Sequence, residues 1–172
     1  VTTGVKDSVG NVLSSQYETS SGFTTKSWTK LLGTSSTEWG MGVTVDSSDN
    51  IYVSGTSHGE LDGNTSSGGG DIVLVKYNSS GTKQWTRQLG TSYDDLAYGV
   101  TVDSSDNLYM TGYTSGGLDG NTSSGNFDIF LVKYNSSGTK QWTQQLGTSS
   151  QDIGVDLTVD SSDNIYVTGY AT

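Results

Sequence analysis

The chain has 172 residues, 31% of them hydrophobic, with 24 glycines, no proline and no cysteine. Eight basic residues against 18 acidic ones leave a formal charge of −10, which would repel a phosphate backbone or an anionic membrane surface and so argues against nucleic acid as a partner. Without cysteine there is no disulfide framework, thiolate metal site or cysteine nucleophile, and no run approaches the roughly 20 apolar residues of a spanning helix.

The chain opens at Val1 without an initiator Met, which leaves a removed leader and an excised fragment both open. Residues 1–33 read as a partial, divergent first unit. "DSVGNVLSS" is a weak copy of a hairpin seen later, and "QYETSSGFTTKSWTKLLG" keeps Tyr17, Gly22 and Trp28 of a second motif. From there the chain repeats with a period of 57 residues, carried by Trp28, Trp85 and Trp142 and by Asp46, Asp103 and Asp160. "KYNSSGTKQWT" at 76–86 returns letter for letter at 133–143, and "LDGNTSSG" at 61–68 returns at 118–125. Such a period marks repeat architecture, with full units at 34–90 and 91–147 and a half unit at 148–172.

Each full unit divides into four short strands. In the middle one, 97–103 and 107–114 flank "SSD", whose Asp, Ser and Asn side chains favour a tight turn. A third strand, 128–135, follows a Gly/Asn/Ser loop, and a fourth, 139–147, follows "NSSG". The sequons at Asn64, Asn78, Asn121 and Asn135 read as turn composition. "IVLV" and "IFLV" are continuous apolar runs, as in strands covered on both faces. The fold class is all-β: four-stranded antiparallel blades of a β-propeller, about three per chain. Propellers usually have more blades than that, so two arrangements are expected with equal weight. Either two chains exchange halves to complete a split blade, or the chain is a piece of a longer propeller.

The Asp-x-x-x-Asn hairpin, "VSGTS", the variable loop, "DIVLVKYNSSGTKQW" and "QLGTS" together resemble the bacterial SBBP-type β-propeller repeat. That family's pattern includes a D-x-x-G-N-x-Y-V-x-G hairpin and a K-x-x-x-x-G-x-x-x-W turn, and the resemblance runs from about Trp28 onward. It implies a propeller in a secreted or cell-surface bacterial protein and no particular activity. Two departures stand out. The family's hairpin Gly is Asp49, Asp106 and Asp163 in this chain, and the linking loop is longer and richer in Asp and Asn.

Those loops carry the expected cofactor. Asp62, Asn64, Ser66 and Asp71 alternate oxygen-bearing side chains with glycine, as do Asp119, Asn121, Ser123 and Asp128. Ca²⁺ takes six to eight oxygen ligands, so calcium is the expected metal, set against a bland reading as polar, self-capped turns. Glu38, Asp95 and Asp152 precede each first strand and read either as one cation- or sugar-binding carboxylate per blade or as partners of the preceding "GTS". Trp85 and Trp142 read as packing between blades, or as aromatic platforms for a sugar. Trp39 reads as core.

His58, the single histidine, has Ser115 as its counterpart and no companion nucleophile. Near-identical units favour repeated binding or scaffolding over catalysis, which needs one asymmetric site. The function expected is therefore a non-catalytic, self-associating structural or adhesive module outside the cell, forming a dimer or longer assembly. A carbohydrate-binding propeller is the alternative, and a glycan-active enzyme comes third.

Overall fold

The structure is a computed structural model, and it describes residues 29–172. The partial unit placed at 1–33, with Tyr17, Gly22 and Trp28, therefore lies almost wholly outside the described residues.

Among the described residues, ten strands and two single 3-10 turns follow in order. The first sheet holds β1 (Glu38–Val45), β2 (Ile51–Ser57), β3 (Asp71–Tyr77) and β4 (Lys83–Leu89), and the second β5 (Asp95–Val102), β6 (Leu108–Thr114), β7 (Asp128–Tyr134) and β8 (Lys140–Leu146). A two-stranded sheet of β9 (Asp152–Val159) and β10 (Ile165–Ala171) ends the chain. Every named pair is antiparallel and the order within each sheet is sequential. These are two full blades and the inner half of a third. They fall within units 34–90, 91–147 and 148–172, and the sheets do not close on one another. Among the described residues no helix is long and apolar enough to cross a membrane.

The strands alternate or run apolar according to what covers them. β3 is buried at Asp71, Ile72, Val73, Leu74, Val75 and Tyr77, as its unbroken apolar run predicts. β7 has nearly the same sequence, yet Ile129 and Leu131 are only half-buried. The difference lies in the neighbours: the third blade brings only two strands to that side. The core is the layer between the two full blades, with Tyr52, Ile72 and Leu74 from one meeting Ala97, Val100, Leu108, Met110, Phe130 and Val132 from the other. Area burial of this kind is the main stabilising term.

One irregularity recurs in all three blades. The first strand carries an extra residue at Met41, Tyr98 and Val155, where the register slips by one. Such a bulge bends the strand and strengthens its twist. Opposite it the backbones come so close that a Cβ on Gly55, Gly112 or Gly169 would lie about 2 Å from the carbonyl oxygen of Trp39, Leu96 or Ile153. Only glycine fits there. Gly112→Ala should lower stability by about 2–3 kcal/mol through this overpacking. Gly120→Ala, at a positive φ but in open space, should cost only about 1 kcal/mol of left-handed strain. Equal losses in urea titrations of the two variants would contradict the contact.

Candidate functional site

The first feature is the turn of each inner hairpin. Asp46 N–H donates to Asn50 O (3.0 Å) and Asp49 N–H to Asp46 O (3.1 Å). The Asp46 carboxylate then accepts from the Ser48 and Asn50 amides, both at 2.9 Å, and from Asn50 Nδ2 and Tyr52 Oη, both at 2.8 Å. Lys76 Nζ on β3 stands 3.8 Å away. Asp103 repeats this with Ser105, Asn107, Tyr109 and Lys133, and Asp160 with Ser162, Asn164 and Tyr166. Burial alone would raise the Asp46 and Asp103 pKa, but these hydrogen bonds outweigh it and leave both lowered. The Asn164 side chain and amide, with the Ser162 amide, push Asp160 down to about 2.

The second aspartate of the turn acts between blades. Asp49, Asp106 and Asp163 have φ near +60°, a left-handed conformation that suits the family's glycine and that Asp tolerates better than most residues. Asp106 turns its carboxylate to the blade before it, where Ser47 donates through its amide (2.9 Å) and its hydroxyl (2.8 Å). Asp163 does the same with Ser104, at 3.0 and 2.7 Å. Charge-assisted bonds of this kind are about twice as strong as neutral ones. Sequence reasoning did not find this clamp, although its signal was present as the threefold replacement of the family glycine by Asp.

A second inter-blade contact surrounds Trp85. Its ring packs on Tyr52 at 5.9 Å between centroids, lies under the Arg87 guanidinium at 4.9 Å, and is met by Gly138, where a Cβ would come within 2.9 Å of the ring. Arg87 Nε donates to Gly138 O (2.7 Å) and Lys76 Nζ to Ser136 O (3.2 Å). Trp85 thus packs between blades. Trp142 stands equivalently against Tyr109 at 6.0 Å. Trp39, expected in the core, is instead half exposed, edge-on to His58 at 5.7 Å. It lies on the face of the first blade against which no earlier blade packs among the described residues.

The per-blade carboxylates turn inward. Asp95 is fully buried and accepts from the Thr91 amide (2.6 Å), the Thr91 hydroxyl (2.9 Å) and Thr114 Oγ1. Asp152 holds Thr148 in the same way, at 2.6 and 2.8 Å. Glu38 holds the Thr34 amide at 3.0 Å and also takes a bond from Ser57. The three bind the "GTS" threonines that precede them, and in this arrangement their oxygens are already engaged. Burial raises the Asp95 pKa against the opposing Thr114 and Thr91 bonds.

In the long loops the acids go to different places. Asp62, itself at φ +59° in the 3-10 turn Leu61–Gly63, pairs with Lys83 Nζ and accepts from Thr86 Oγ1 (2.8 Å). Asp71 accepts from the Ser67 amide and Gln88 Nε2, both at 2.8 Å. Its other oxygen, Oδ1, is buried without a hydrogen bond, pressed against Gly90, where a Cβ would come within 1.9 Å. Asn64 caps the turn through Nδ2 to Leu61 O, and Ser66 faces Gly68 O at 3.5 Å. Asp119, Asn121, Ser123 and Asp128 repeat the set with Lys140, Leu118, Gly125, Ser124 and Gln145. The four oxygen bearers of a loop each have different partners, and a lysine ammonium stands beside Asp62 and Asp119. As arranged, they do not fit a calcium cage, because the ion would have to displace Lys83 and Lys140 and draw Asp71 and Asp128 away from Gln88 and Gln145. Among the described residues no group of three or more His, Cys, Asp or Glu side chains could hold a metal ion.

A carboxyl whose folded pKa lies below its unfolded value of about 4 adds stability above that pH, and the gain is lost as pH falls through the folded value. Asp46, Asp103, Asp160, Asp62 and Glu38 are all lowered. Asp95 works in the opposite sense, since a raised carboxyl costs stability as pH climbs past its unfolded value. The five outnumber the one, so the melting temperature should fall between about pH 4 and pH 2, and Asp46→Asn with Asp103→Asn should flatten that fall. A flat wild-type profile in this window would contradict the turn locks. For the loops, melting curves in calcium and in chelator at equal ionic strength should superimpose. A rise in calcium that Asp62→Ala with Asp119→Ala abolishes would instead establish the cation site.

The comparisons with known proteins agree with this geometry. The chain matches the model of the SBBP β-propeller repeat at residues 27–62, 84–119 and 141–172, together more than half of its length. It is similar to an uncharacterized WD repeat-containing protein, L264, of Acanthamoeba polyphaga mimivirus, at 27% identity over 83% of this chain and 13% of that protein. It is also similar to the regulatory protein FlaEY of Caulobacter vibrioides, at 29% identity over 64% of this chain and 12% of that protein. The chain thus spans about an eighth of the length of these curated relatives. With the repeat matched three times and each match overlapping an inner hairpin described above, the chain belongs to the SBBP β-propeller repeat family.

Proposed function

We propose that the chain is a non-catalytic structural or adhesive propeller module of a bacterial secreted or cell-surface protein, and that it works by self-association. The observation that supports this most is how the polar residues are used. Asp46, Asp95, Asp62 and Asp71, with their copies, are engaged in hydrogen bonds or ion pairs that hold a turn, a strand end or a loop. Catalysis needs one site unlike the others, whereas these copies make the same bonds in unit after unit. The mimivirus relative carries the name of a WD repeat, a propeller repeat with a scaffold-like build, which also favours a module over an enzyme. The acidic surface and the resemblance to secreted repeats support an extracellular place.

A carbohydrate-binding propeller is the second reading, favoured by one observation. Tyr98, Tyr113 and Phe127 form an aromatic group in the second blade, with the Tyr113 and Phe127 ring centroids 4.4 Å apart. The first blade has Met41, Thr56 and Gly70 at those positions.

Labelling of intact producing cells by an antibody to the chain, beside a glycan array and immobilised copies of the chain, tests the proposal. The expected result is labelled cells, homotypic binding and a blank array. Saturable binding to one glycan at about micromolar concentration, lost in Tyr113→Ala, would replace the module with the lectin. Label confined to permeabilised cells would overturn the extracellular assignment.

A further inference from the structure

The second blade holds an aromatic group that the first blade lacks. Tyr98 at the bulge of β5 and Tyr113 on β6 have ring centroids 6.2 Å apart and planes inclined by 46°. Tyr113 and Phe127, the residue before β7, stand 4.4 Å apart at 36°. None of the three is fully buried. They lie at the junction of the second and third blades, where the Asp152 amide donates to Phe127 O (2.8 Å).

Where the fold pairs a tyrosine with a tryptophan, it supplies a cation as well. Lys76 Nζ lies 5.0 Å from the Tyr52 ring centroid, the Arg87 guanidinium 4.9 Å from that of Trp85, and Lys133 Nζ 4.9 Å from that of Tyr109, the partner of Trp142. The face of an aromatic ring is negative and attracts a cation placed over it. Among the described residues no lysine or arginine lies over Tyr98, Tyr113 or Phe127. The cations of the two full blades are held instead at Asp46, Asp62, Gly138, Asp103 and Asp119. What adjoins the group is acid. The Ser115 amide, two residues past Tyr113, donates to Asp94 O (3.0 Å). The Asp94 side chain, 58% exposed, accepts at Oδ1 from the Gly70 amide (2.9 Å) and stands 4.0 Å from His58 Nε2. Burial first, then Tyr98, Asp94 and Asp95, push the Tyr113 phenol up to about 12, so negative charge faces it with no lysine or arginine to offset it.

We propose that Tyr98, Tyr113 and Phe127, with the Asp94 carboxylate beside them, bind an organic ammonium ion: a positively charged, alkylated nitrogen. Such an ion matches both halves of the site. Its alkyl groups displace water from the rings, and its charge stands to Tyr113 as Lys76 stands to Tyr52 and Lys133 to Tyr109. An alkylated ammonium also sheds water more readily than a bare metal ion, which the site could not cage, and the formal charge of −10 draws cations toward the chain. A neutral sugar suits the group less, because stacking uses a flat open ring face, whereas these rings are inclined to one another and part-buried. The site does not depend on self-association. It belongs to the second blade, since the first has Met41, Thr56 and Gly70 at these positions and the third replaces Tyr98 by Val155.

The test is isothermal titration calorimetry of the full chain with choline, with its uncharged tert-butyl isostere and with potassium, all at constant ionic strength. Choline should bind at a single site with a dissociation constant of about 1 mM, and the isostere and potassium at least about tenfold more weakly. Tyr98→Met, which installs the residue of the first blade, should weaken choline binding about tenfold, and Asp94→Asn, which keeps an acceptor for the Gly70 amide, about threefold. Tyr113→Phe keeps the ring face and should bind choline as wild type does. A peptide carrying trimethyllysine offers the same group on a protein tail, and the tighter of the two ligands names the source. Absence of saturable binding by both ammonium ligands, equal binding of the isostere, or undiminished binding in both Tyr98→Met and Asp94→Asn would each overturn the site. A neutral sugar that displaces choline from wild type and fails to bind Tyr113→Phe would overturn it in favour of the carbohydrate reading.

Discussion

Each inner hairpin is held by one carboxylate that accepts four hydrogen bonds, two from amides and two from side chains, as at Asp46. Much else follows from that convergence. It fixes the turn between β1 and β2, which sets their register; it anchors the Tyr52 ring, on which Trp85 packs; and it brings the Lys76 ammonium of β3 to the rear of the turn. Because the turn is rigid, the aspartate three residues on can be presented in a left-handed conformation, with the Asp106 and Asp163 carboxylates aimed at the neighbouring blade. One turn thus organises a hairpin, a blade and the junction between blades.

This coupling also accounts for where stability resides. A single blade buries little on its own; its outer strands become a core only when the next blade lies over them, as the contrast between β3 and β7 shows. Nearest-neighbour burial of this kind is the general behaviour of repeat proteins. Function in such a chain is better sought on faces that repeat than in a single pocket. The polar inventory agrees: the acids that look most like ligands in the sequence are engaged in strand ends and loop pairs.

Much of this architecture was legible in the sequence, and the reasons differ from element to element. The strands of the middle unit, read as 97–103, 107–114, 128–135 and 139–147, lie within about two residues of β5–β8, because Gly/Asn/Asp turns and apolar alternation are local signals. The bulges at Met41, Tyr98 and Val155 were not legible, since a bulge shows only when two strands are paired. Nor was the partnership of Asp62 with Lys83, 21 residues apart: spacing alone suggested a metal loop, and only the fold brings the ammonium to the acid. Burial inferred from residue type puts Trp39 in the core, whereas its exposure depends on which face has no blade over it among the described residues. The clamp from Asp106 to Ser47 spans 59 residues and becomes readable only once the blades are stacked.

The central claim is that the second aspartate of the turn links one blade to the next, and a double-mutant cycle addresses it most directly. Ser47→Ala and Asp106→Gly, alone and combined, would be measured by equilibrium unfolding in urea, with Ser47→Ala and Asp163→Gly as the distant control pair. Glycine keeps the left-handed backbone, and its effect on the unfolded chain cancels in the cycle. A coupling of about 1 kcal/mol between Ser47 and Asp106, with none between Ser47 and Asp163, is the result predicted. Coupling of Ser47 to Asp106 within about 0.3 kcal/mol of zero would contradict the account.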